Sequence, residues 1–568
     1  MTPLIDRISK TYDEVPYTSA AFPVSAPEHL RAVAHLFGLD TPLPERARVL
    51  ELGCAAGGNL IPFAVRHPDA EVVGVDLSPV QIDIGRGLVE AMGLANVRLI
   101  QGSIAELGDE LGRFDYIVCH GVYSWVPEEV RVAILDVCDR LLTDNGVAYV
   151  SYNTYPGWKA KEIVRDAMLL RAGDRATAQE RLAYARGMIE FLHEQAAEGS
   201  VLGTVMKEHI DMIREGEDFY LSHEYLELCN APCYFRDFVA AARDSGLEYL
   251  GDATVASMFA SNYGAAAAPA LLAECGGDQV MLEQLMDFLQ NRTFRQSLLV
   301  RAGRRGEIQY QVDPERIARL HLAGRYVPET GADGAPQWRY AGGATVSVGT
   351  DATRVVLERL NAAWPATVSA VELMADASVE DASRVSDLIT NLVIGNAVRF
   401  RVEPVVAGTM SASPFAHAAV RALAAAGENP MSLFNQWHQP IQLTPLQRYL
   451  LPLLDGATQP EALVEVVLRE VEQGRLHVMR EGQPLTNGDA VAASVREQVN
   501  ASLNLLMLNA MLATPPAQPA KKAAATAKQG DKCVEKAAAT KPAKAANAKA
   551  EAKPEASPKP AKAPRGKK

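Results

Sequence analysis

Residues 49–59 read VLELGCAAGGN, an apolar run that passes directly into a cluster of glycines. The apolar residues are typical of a buried strand, and Gly53, Gly57 and Gly58 allow the backbone to turn sharply and to approach a ligand closely. A helix that begins after such a turn presents unpaired N–H groups to the same ligand. The stretch therefore predicts a strand, a glycine-rich turn and a helix that form one wall of a binding site.

Further apolar runs follow this stretch and are separated by helical segments. One helix is predicted to begin after Ser78, an N-cap residue that is followed by proline. The runs lie at 71–77, 97–103, 114–120, 146–153, 247–253 and 294–301. We expect an α/β fold with a Rossmann-like, seven-stranded sheet. Because the first five strands alternate with helices and are continuously apolar, we expect them to be parallel and covered on both faces.

The rest of the chain changes character several times. We expect the sheet domain to span residues 1–304, with a helical insertion at 159–222 that is rich in Ala, Arg, Glu and Met. Residues 305–405 mix short strands and helices in an order typical of a winged helix, and 406–513 predict a mainly helical C-terminal domain. Residues 514–568 are mostly Ala, Lys and Pro, too poor in large apolar side chains to offset the entropy of ordering, and predict a disordered tail.

Charge is distributed unevenly along the chain. Residues 521–568 contain 14 basic and four acidic side chains, a net charge of +10, so that residues 1–520 carry −23. An acidic body repels phosphates, which argues against nucleic acid as its partner and favours a cationic protein substrate. The basic tail is suited to acidic partners.

Neither a membrane segment nor a metal site is expected. No apolar stretch reaches the roughly 18 residues of a membrane span, and the N-terminus lacks the apolar segment of a signal peptide. Cys229 and Cys233 form a single C-x3-C pair with no second pair. We therefore expect reduced cysteines in a cytoplasmic protein.

Asp76 ends the second predicted strand, 19 residues after Gly57. A carboxylate at this place can accept hydrogen bonds from both hydroxyls of a ribose, so the pattern predicts a nucleoside-containing ligand. A nicotinamide dinucleotide is one alternative, since Tyr155 and Lys159 form a Y-x-x-x-K pair. That pair needs a helix, and Pro156 and Gly157 between the two residues argue against one.

Glu51, Gly53 and Gly57 give the chain its second interpretation. They resemble the first motif, acid-x-Gly-x-Gly-x-Gly, of class I S-adenosylmethionine-dependent methyltransferases, with Ala55 at the middle glycine, tolerable if its φ is negative. The stretches YDEVPY (12–17) and SYNTYPGWK (151–159) extend the resemblance to bacterial methyltransferases with a methyltransferase regulatory domain, a group that includes the rickettsial protein lysine methyltransferases.

This resemblance implies S-adenosyl-L-methionine as cofactor, and a homodimer formed through the helical insertion. It assigns the ribose to Asp76, the adenine to residues 102–104 and the methionine moiety to His120. The residues expected around the cofactor are Tyr12, Tyr17, Glu51, Gly53, Ala55, Gly57, Asn59, Asp76, Leu77, Gly102, Ser103, Ile104 and His120. Asn435 and His438 resemble part of a loop of this group, to which we assign a structural role.

The stretch SYNTYPGWK would follow the fifth strand, beside the reacting methyl group. The Tyr152 hydroxyl and the Asn153 carbonyl oxygen are the candidate catalytic groups, because they can orient a neutral amine. Tyr123, Trp125 and Trp158 would form an aromatic substrate slot, although such rings also simply cover a sheet edge. We predict a methyltransferase acting on protein lysine side chains; the alternatives are a small-molecule or RNA methyltransferase and a non-catalytic cofactor-binding scaffold.

Overall fold

A seven-stranded sheet forms the centre of the protein. The computed structural model describes residues 18–515 except 174, 176, 198, 217, 332–333, 376–378, 428–430, 481–482 and 486–487. The strands of the sheet are β1 (Arg48–Leu52), β2 (Glu71–Asp76), β3 (Val97–Gln101), β4 (Phe114–Cys119), β5 (Leu142–Asn153), β6 (Leu247–Asp252) and β7 (Phe294–Arg301). Tyr12, Tyr17 and the tail from residue 516 onward lie outside the described residues.

The strand order is β3-β2-β1-β4-β5-β7-β6. Six strands run parallel, but β7 is antiparallel to both of its neighbours. The sheet is thus mostly parallel, and β1 to β5 run parallel as predicted; the apolar run of β7 indicates burial on both faces and not strand direction. The carboxyl ends of β1, β2, β4 and β5 meet at one edge, where open α/β sheets bind their ligands.

Helices cover both faces of the sheet. Val49 belongs to a core with Leu30 and Val33, whereas the next residue, Leu50, belongs to a second core with Phe238. This alternation follows from the two-residue period of a strand. The helices of this part are α1 (Pro27–Leu36), α2 (Ile61–Arg66), α3 (Pro79–Met92) and α4 (Glu128–Leu141), followed after the insertion by α9 (Phe235–Asp244), α10 (Ala267–Glu274) and α11 (Gln279–Gln290).

The helical insertion has a core of its own. It consists of α5 (Trp158–Ala172), α6 (Ala178–Gln195), α7 (Val201–Glu215) and α8 (Asp218–Tyr225). Val164, Met168, Ile189 and Met206 are among its buried side chains. The insertion thus matches the predicted segment within a few residues.

Residues 305–405 extend the core on one face of the sheet. Leu322, Leu357 and Phe400 are buried in the same apolar cluster as Leu30. The elements are α12 (Pro314–Ala318), β8 (His321–Ala323), β9 (Tyr326–Thr330), β10 (Pro336–Tyr340), β11 (Thr345–Ser347), α13 (Asp351–Ala363), β12 (Val368–Ser369), α14 (Ala370–Ala375), α15 (Val379–Ile394) and β13 (Arg399–Arg401). From α13 to β13 the order of elements is helix, strand, helix, helix, strand.

The C-terminal elements pack directly on α2 and α3 of the sheet domain. Ile61 of α2 and Leu88 of α3 share a buried cluster with Leu423 and Leu503. The elements are α16 (Ala418–Ala425), β14 (Leu433–Phe434), β15 (Pro440–Ile441), α17 (Pro445–Leu450), α18 (Pro460–Glu472), β16 (Met479–Arg480), β17 (Gln483–Pro484) and α19 (Gly488–Leu508). Across the described ranges, no helix has the length and apolar character that crossing a membrane requires.

Candidate active site

A cavity of about 620 Å³ opens at the carboxyl ends of β1, β2, β4 and β5. Its volume suits a nucleoside-containing ligand together with a small reacting group. The cavity brings together most of the predicted cofactor residues. Its wall includes Glu51, Gly53, Ala55, Asn59, Asp76, Leu77, Gly102, Ser103, Ile104 and His120.

The glycine-rich turn has left-handed backbone at three positions, with φ of +75° at Gly53, +46° at Ala55 and +84° at Gly57. A Cβ at Gly53 would lie 2.4 Å from a methyl carbon of Val122, so only glycine fits there. The φ of Ala55 is positive, so the condition under which alanine was judged tolerable is not met, and the turn has left-handed backbone at this position as well. That conformation costs an alanine roughly 1 kcal/mol.

Asp76 ties the end of β2 to this turn. Its Oδ2 accepts a hydrogen bond of 2.8 Å from the backbone N–H of Ala55, and its Oδ1 accepts one of 2.9 Å from the N–H of Ser78. Two backbone donors thus hold the carboxylate in place at the cavity wall, where Asp76 is a lining residue. This position fits the predicted role in holding ribose hydroxyls.

Glu51 presents an unpartnered carboxylate oxygen at the cavity wall. The side chain is buried, and its Oε1 accepts a hydrogen bond of 2.8 Å from Asn59 Nδ2. Oε2 has no hydrogen-bond partner among the described residues. Burial raises the pKa of Glu51 to about 8, and the nearby Asp76 charge adds to the rise. A buried carboxylate of this kind fits a cationic ligand group such as the α-ammonium of S-adenosylmethionine.

Residues ahead of β1 close over the turn. Ser19 Oγ accepts a hydrogen bond of 2.7 Å from Gly58 N, and a Cβ at Gly58 would lie 2.4 Å from the Ser19 carbonyl carbon. Ser19 and Phe22 both line the cavity. Sequence reasoning missed these two residues because no local motif marks them; only the glycine at position 58 signals a close approach.

His120 is a neutral wall residue. Its Nδ1 lies 2.8 Å from the Tyr149 hydroxyl, which also accepts a hydrogen bond of 3.1 Å from Gln296 Nε2. Burial lowers the pKa of His120 to about 4, and its ring lies 3.8 Å from that of Phe22, centroid to centroid. A histidine with so low a pKa is a poor general base near pH 7.

Three of the predicted substrate residues line the other end of the cavity: Trp125, Trp158 and Asn153. The two indole rings meet edge to face with centroids 6.0 Å apart. Asn153 donates through Nδ2 to Asn230 Oδ1 at 3.0 Å, and within the described ranges no hydrogen bond occupies its own Oδ1. That oxygen is therefore an available acceptor in the wall.

The structure does not bring Tyr152 or Tyr123 to the cavity. Successive side chains of a strand point to opposite faces, so Asn153 faces the cavity and Tyr152 faces the core behind the sheet. Tyr152 stacks on Phe238 at 4.0 Å and its hydroxyl lies 3.0 Å from Ser297 Oγ, while Tyr123 packs edge-on against Phe238. Tyr152 is thus placed to stabilise the fold and not to orient an amine.

Lys161 and Glu224 are cavity residues that sequence reasoning missed. Lys161 Nζ lies 5.0 Å from the Trp158 ring and 3.1 Å from Glu224 Oε1. The spacing of three residues that places Lys161 beside Trp158 on α5 was readable once a helix is assumed. Glu224 comes from α8, and nothing in the local sequence links it to the cavity.

The structure also locates the two cysteines of the C-x3-C pair and the two residues of the Y-x-x-x-K pair. Cys229 and Cys233 are free thiols, and among the described residues no group of His, Cys, Asp and Glu could hold a metal ion. Helix α5 begins only at Trp158, and Lys159 lies over the Tyr155 ring at 3.9 Å. Neither residue of this pair lines the cavity, which disfavours the dehydrogenase alternative.

Three family models match the chain. They are a methyltransferase domain at residues 49–146, a predicted methyltransferase regulatory domain at 217–301 and a PKMT C-terminal winged helix domain at 413–511. The last match falls in the segment that we expected to be mainly helical, 406–513. The winged-helix pattern at 305–405 stays a prediction.

Relatives cover most of the chain. The chain is 32% identical to the Rickettsia prowazekii protein RP789, and the match covers 88% of this chain and 93% of RP789. It is 38% identical to a second protein of that organism, RP028, and this match covers 44% of this chain and 100% of RP028. The structure of PKMT2 from Rickettsia typhi in complex with AdoHcy is similar with a TM-score of 0.78 and 28% identity, over 88% of this chain and 100% of PKMT2.

Three observations indicate the same fold and cofactor. They are the strand order of the sheet, the glycine-rich turn with the carboxylates of Glu51 and Asp76, and these matches. The cofactor is S-adenosylmethionine. The chain belongs to the family of RP789, class I S-adenosylmethionine-dependent methyltransferases that carry a methyltransferase regulatory domain and a PKMT-type C-terminal winged helix domain.

Proposed function

We propose that this enzyme methylates lysine side chains of a protein substrate. The observation that carries the proposal is the position of Lys161, whose ammonium lies on the Trp158 ring beside the Glu224 carboxylate in the cavity wall. The wall thus already accommodates an alkylammonium of the kind a substrate lysine would present. The −23 charge of residues 1–520 and the likeness to PKMT2 support a cationic protein substrate.

S-adenosylmethionine supplies an electrophilic methyl group, and the amine that receives it must be neutral. For an ordinary lysine with a pKa of about 10.4, losing the proton at pH 7.4 costs about 4 kcal/mol. Val126, Pro127 and Val130 add apolar surface to the cavity beside the tryptophans, and such surroundings disfavour the charged amine. Asn153 Oδ1 is suited to accept a hydrogen bond from the amine and so to orient its lone pair.

The proposal is tested by incubating the full-length enzyme with methyl-labelled cofactor and fractionated cell lysate. Label should appear in protein and map to ε-amino groups by mass spectrometry. Glu224→Gln should lower kcat/KM for the protein substrate, whereas Glu465→Gln, a change at an exposed site on α18, should not. Label confined to small molecules or RNA would leave the methyltransferase activity standing and overturn the lysine assignment.

We also infer that the enzyme is a homodimer held by the insertion. Ile163 and Leu170, seven residues apart on α5, are 42% and 78% exposed, and Tyr184 and Phe191, seven apart on α6, are 45% and 51% exposed. Two such stripes on neighbouring helices are suited to a second copy of the same surface. Light scattering should give twice the monomer mass.

The dimer is tested by placing charges in these stripes. Leu170→Glu with Phe191→Glu should yield a monomer, while Val132→Glu, at an exposed position outside the insertion, should not. A monomeric wild-type enzyme at micromolar concentration would contradict the inference.

The free thiols of all six described cysteines support a reducing compartment, for which we propose the cytoplasm.

A further inference from the structure

A loop of the C-terminal domain reaches the back of the cofactor cavity. His438, 1% exposed, lies with its Nε2 3.0 Å from Asn59 Oδ1. Its Nδ1 lies 2.9 Å from a guanidinium nitrogen of Arg66 on α2. His438 and Asn59 are 379 residues apart in the chain, so this contact exists only because the C-terminal domain packs on α2 and α3.

The partners of His438 determine its tautomer. A guanidinium only donates hydrogen bonds, so Nδ1 must be the acceptor and the proton resides on Nε2. The Nε2–H therefore donates to Asn59 Oδ1. Burial and the charge of Arg66 lower the pKa of His438 to about 3, which keeps the imidazole neutral and this direction of donation unchanged near pH 7.

His438 is one of three donors that together orient the Asn59 amide. Asn59 Oδ1 also accepts from the Phe22 N–H at 2.9 Å and from Ser25 Oγ at 3.1 Å. With these donors on the oxygen, the NH₂ group faces Glu51 and donates to its Oε1 at 2.8 Å. The carboxylate is thereby held with its unpartnered Oε2 at the cavity wall.

The loop that carries His438 is built for one conformation. Asn435 Oδ1 accepts from the N–H groups of Trp437 and Gln439 at 2.9 and 3.0 Å, and His438 has a φ of +58°. The buried Trp437 donates through Nε1 to Pro365 O at 2.9 Å. A non-glycine residue in this region of φ is strained, and such strain is retained where surrounding contacts require the side chain's position.

The same domain also holds the segment ahead of β1. Ser432 N donates to Ser19 O at 3.0 Å, and Ser19 Oγ accepts from Gly58 N in the glycine-rich turn. We propose that the C-terminal domain completes the cofactor site, with His438 as a positioning residue that acts through Asn59 to aim the Glu51 carboxylate at the cationic amino group of the cofactor.

The test is calorimetric binding of S-adenosylhomocysteine, which carries the same amino group and needs no turnover. His438→Ala in the full-length enzyme should weaken binding five- to tenfold, in line with one hydrogen bond to a charged network. His438→Gln, whose amide N–H can replace Nε2–H, should restore most of the affinity. Thr444→Ala removes the N-cap hydrogen bond of α17 in the same domain, away from the His438 loop and from Asn59, and should change affinity less than twofold.

A double-mutant cycle separates positioning from general structural support. In a Glu51→Gln background, His438→Ala should have no further effect on affinity, because the carboxylate that it positions is gone. An equal loss in both backgrounds, or a loss of the same size in Thr444→Ala, would overturn the proposal. If His438→Ala does not fold, His438→Met, which fills the space without a donor, takes its place, and equal affinities of the Met and Gln variants would also overturn it.

Discussion

Binding of the cofactor should release a proton from Glu51. The carboxyl has a pKa of about 8 in the free protein because it is buried, and only the Asn59 hydrogen bond opposes this rise. At pH 7 such a group is ionised in only about a tenth of the molecules. The positive amino group of the ligand favours the ionised form, so the pKa of Glu51 falls in the complex and the proton is lost on binding.

The number of protons released and the pH dependence of the affinity follow from the linkage between proton binding and ligand binding. If the pKa falls well below 7 in the complex, about 0.9 proton leaves per ligand bound at pH 7, and affinity rises about tenfold per pH unit until the pH reaches about 8. Calorimetry of S-adenosylhomocysteine at pH 7 in buffers of different ionisation enthalpy measures the released proton directly. Glu51→Gln should abolish the release and flatten the pH dependence below 8.

In the ligand-free protein, the raised pKa of Glu51 lowers the stability of the folded state as pH rises. Between the ordinary pKa of 4.5 and the folded value of about 8, the folded state holds a proton that the unfolded state has lost, so the raised pKa lowers stability as pH rises through this window. Glu51→Gln should therefore raise the melting temperature of the ligand-free enzyme at pH 8 and much less at pH 5. Absence of proton release in wild type, or equal release in Glu51→Gln, would refute this account of the site.

Four further changes have definite expected outcomes. Asp76→Ala should weaken S-adenosylmethionine binding at least tenfold by calorimetry, since it removes charge-assisted hydrogen bonds of about 1.5–3 kcal/mol each. Unchanged affinity would mean that Asp76 does not bind the ribose. Ala55→Gly should raise the free energy of unfolding by up to about 1 kcal/mol in urea denaturation, because the left-handed φ of +46° suits glycine, and a loss of stability would contradict the strain. Asn153→Ala should lower kcat, while Tyr152→Phe should leave kcat within about twofold of wild type, as steady-state kinetics with the methyl acceptor can check. A larger loss of kcat in Tyr152→Phe than in Asn153→Ala would mean that Tyr152 acts in the active site. Removal of residues 516–568 should leave the melting temperature and turnover unchanged, whereas a fall of several degrees would show that the tail stabilises the body.

Much of the methyltransferase domain was determined by local sequence. Gly53, Gly57 and Asp76 predicted the turn and a nucleoside-containing ligand, because this chemistry lies within one strand, turn, helix and strand unit whose geometry depends on neighbouring residues; the resemblance to class I methyltransferases then implied the cofactor. The insertion and the C-terminal helices were likewise visible in composition and periodicity. The positive φ of Ala55 was not readable from the sequence, since a side chain's identity restricts backbone conformation without fixing it.

Tertiary structure alone decided which side chains meet. Tyr152 and Asn153 are adjacent in sequence, yet the two-residue period of β5 sends one to the core and the other to the cavity, and the sequence could not tell which face was which. Glu224 and His438 reach the site from separate domains, and His438 contacts Asn59 across 379 residues of chain. Such contacts depend on how whole elements pack, a long-range consequence of burying apolar surface that no local pattern records.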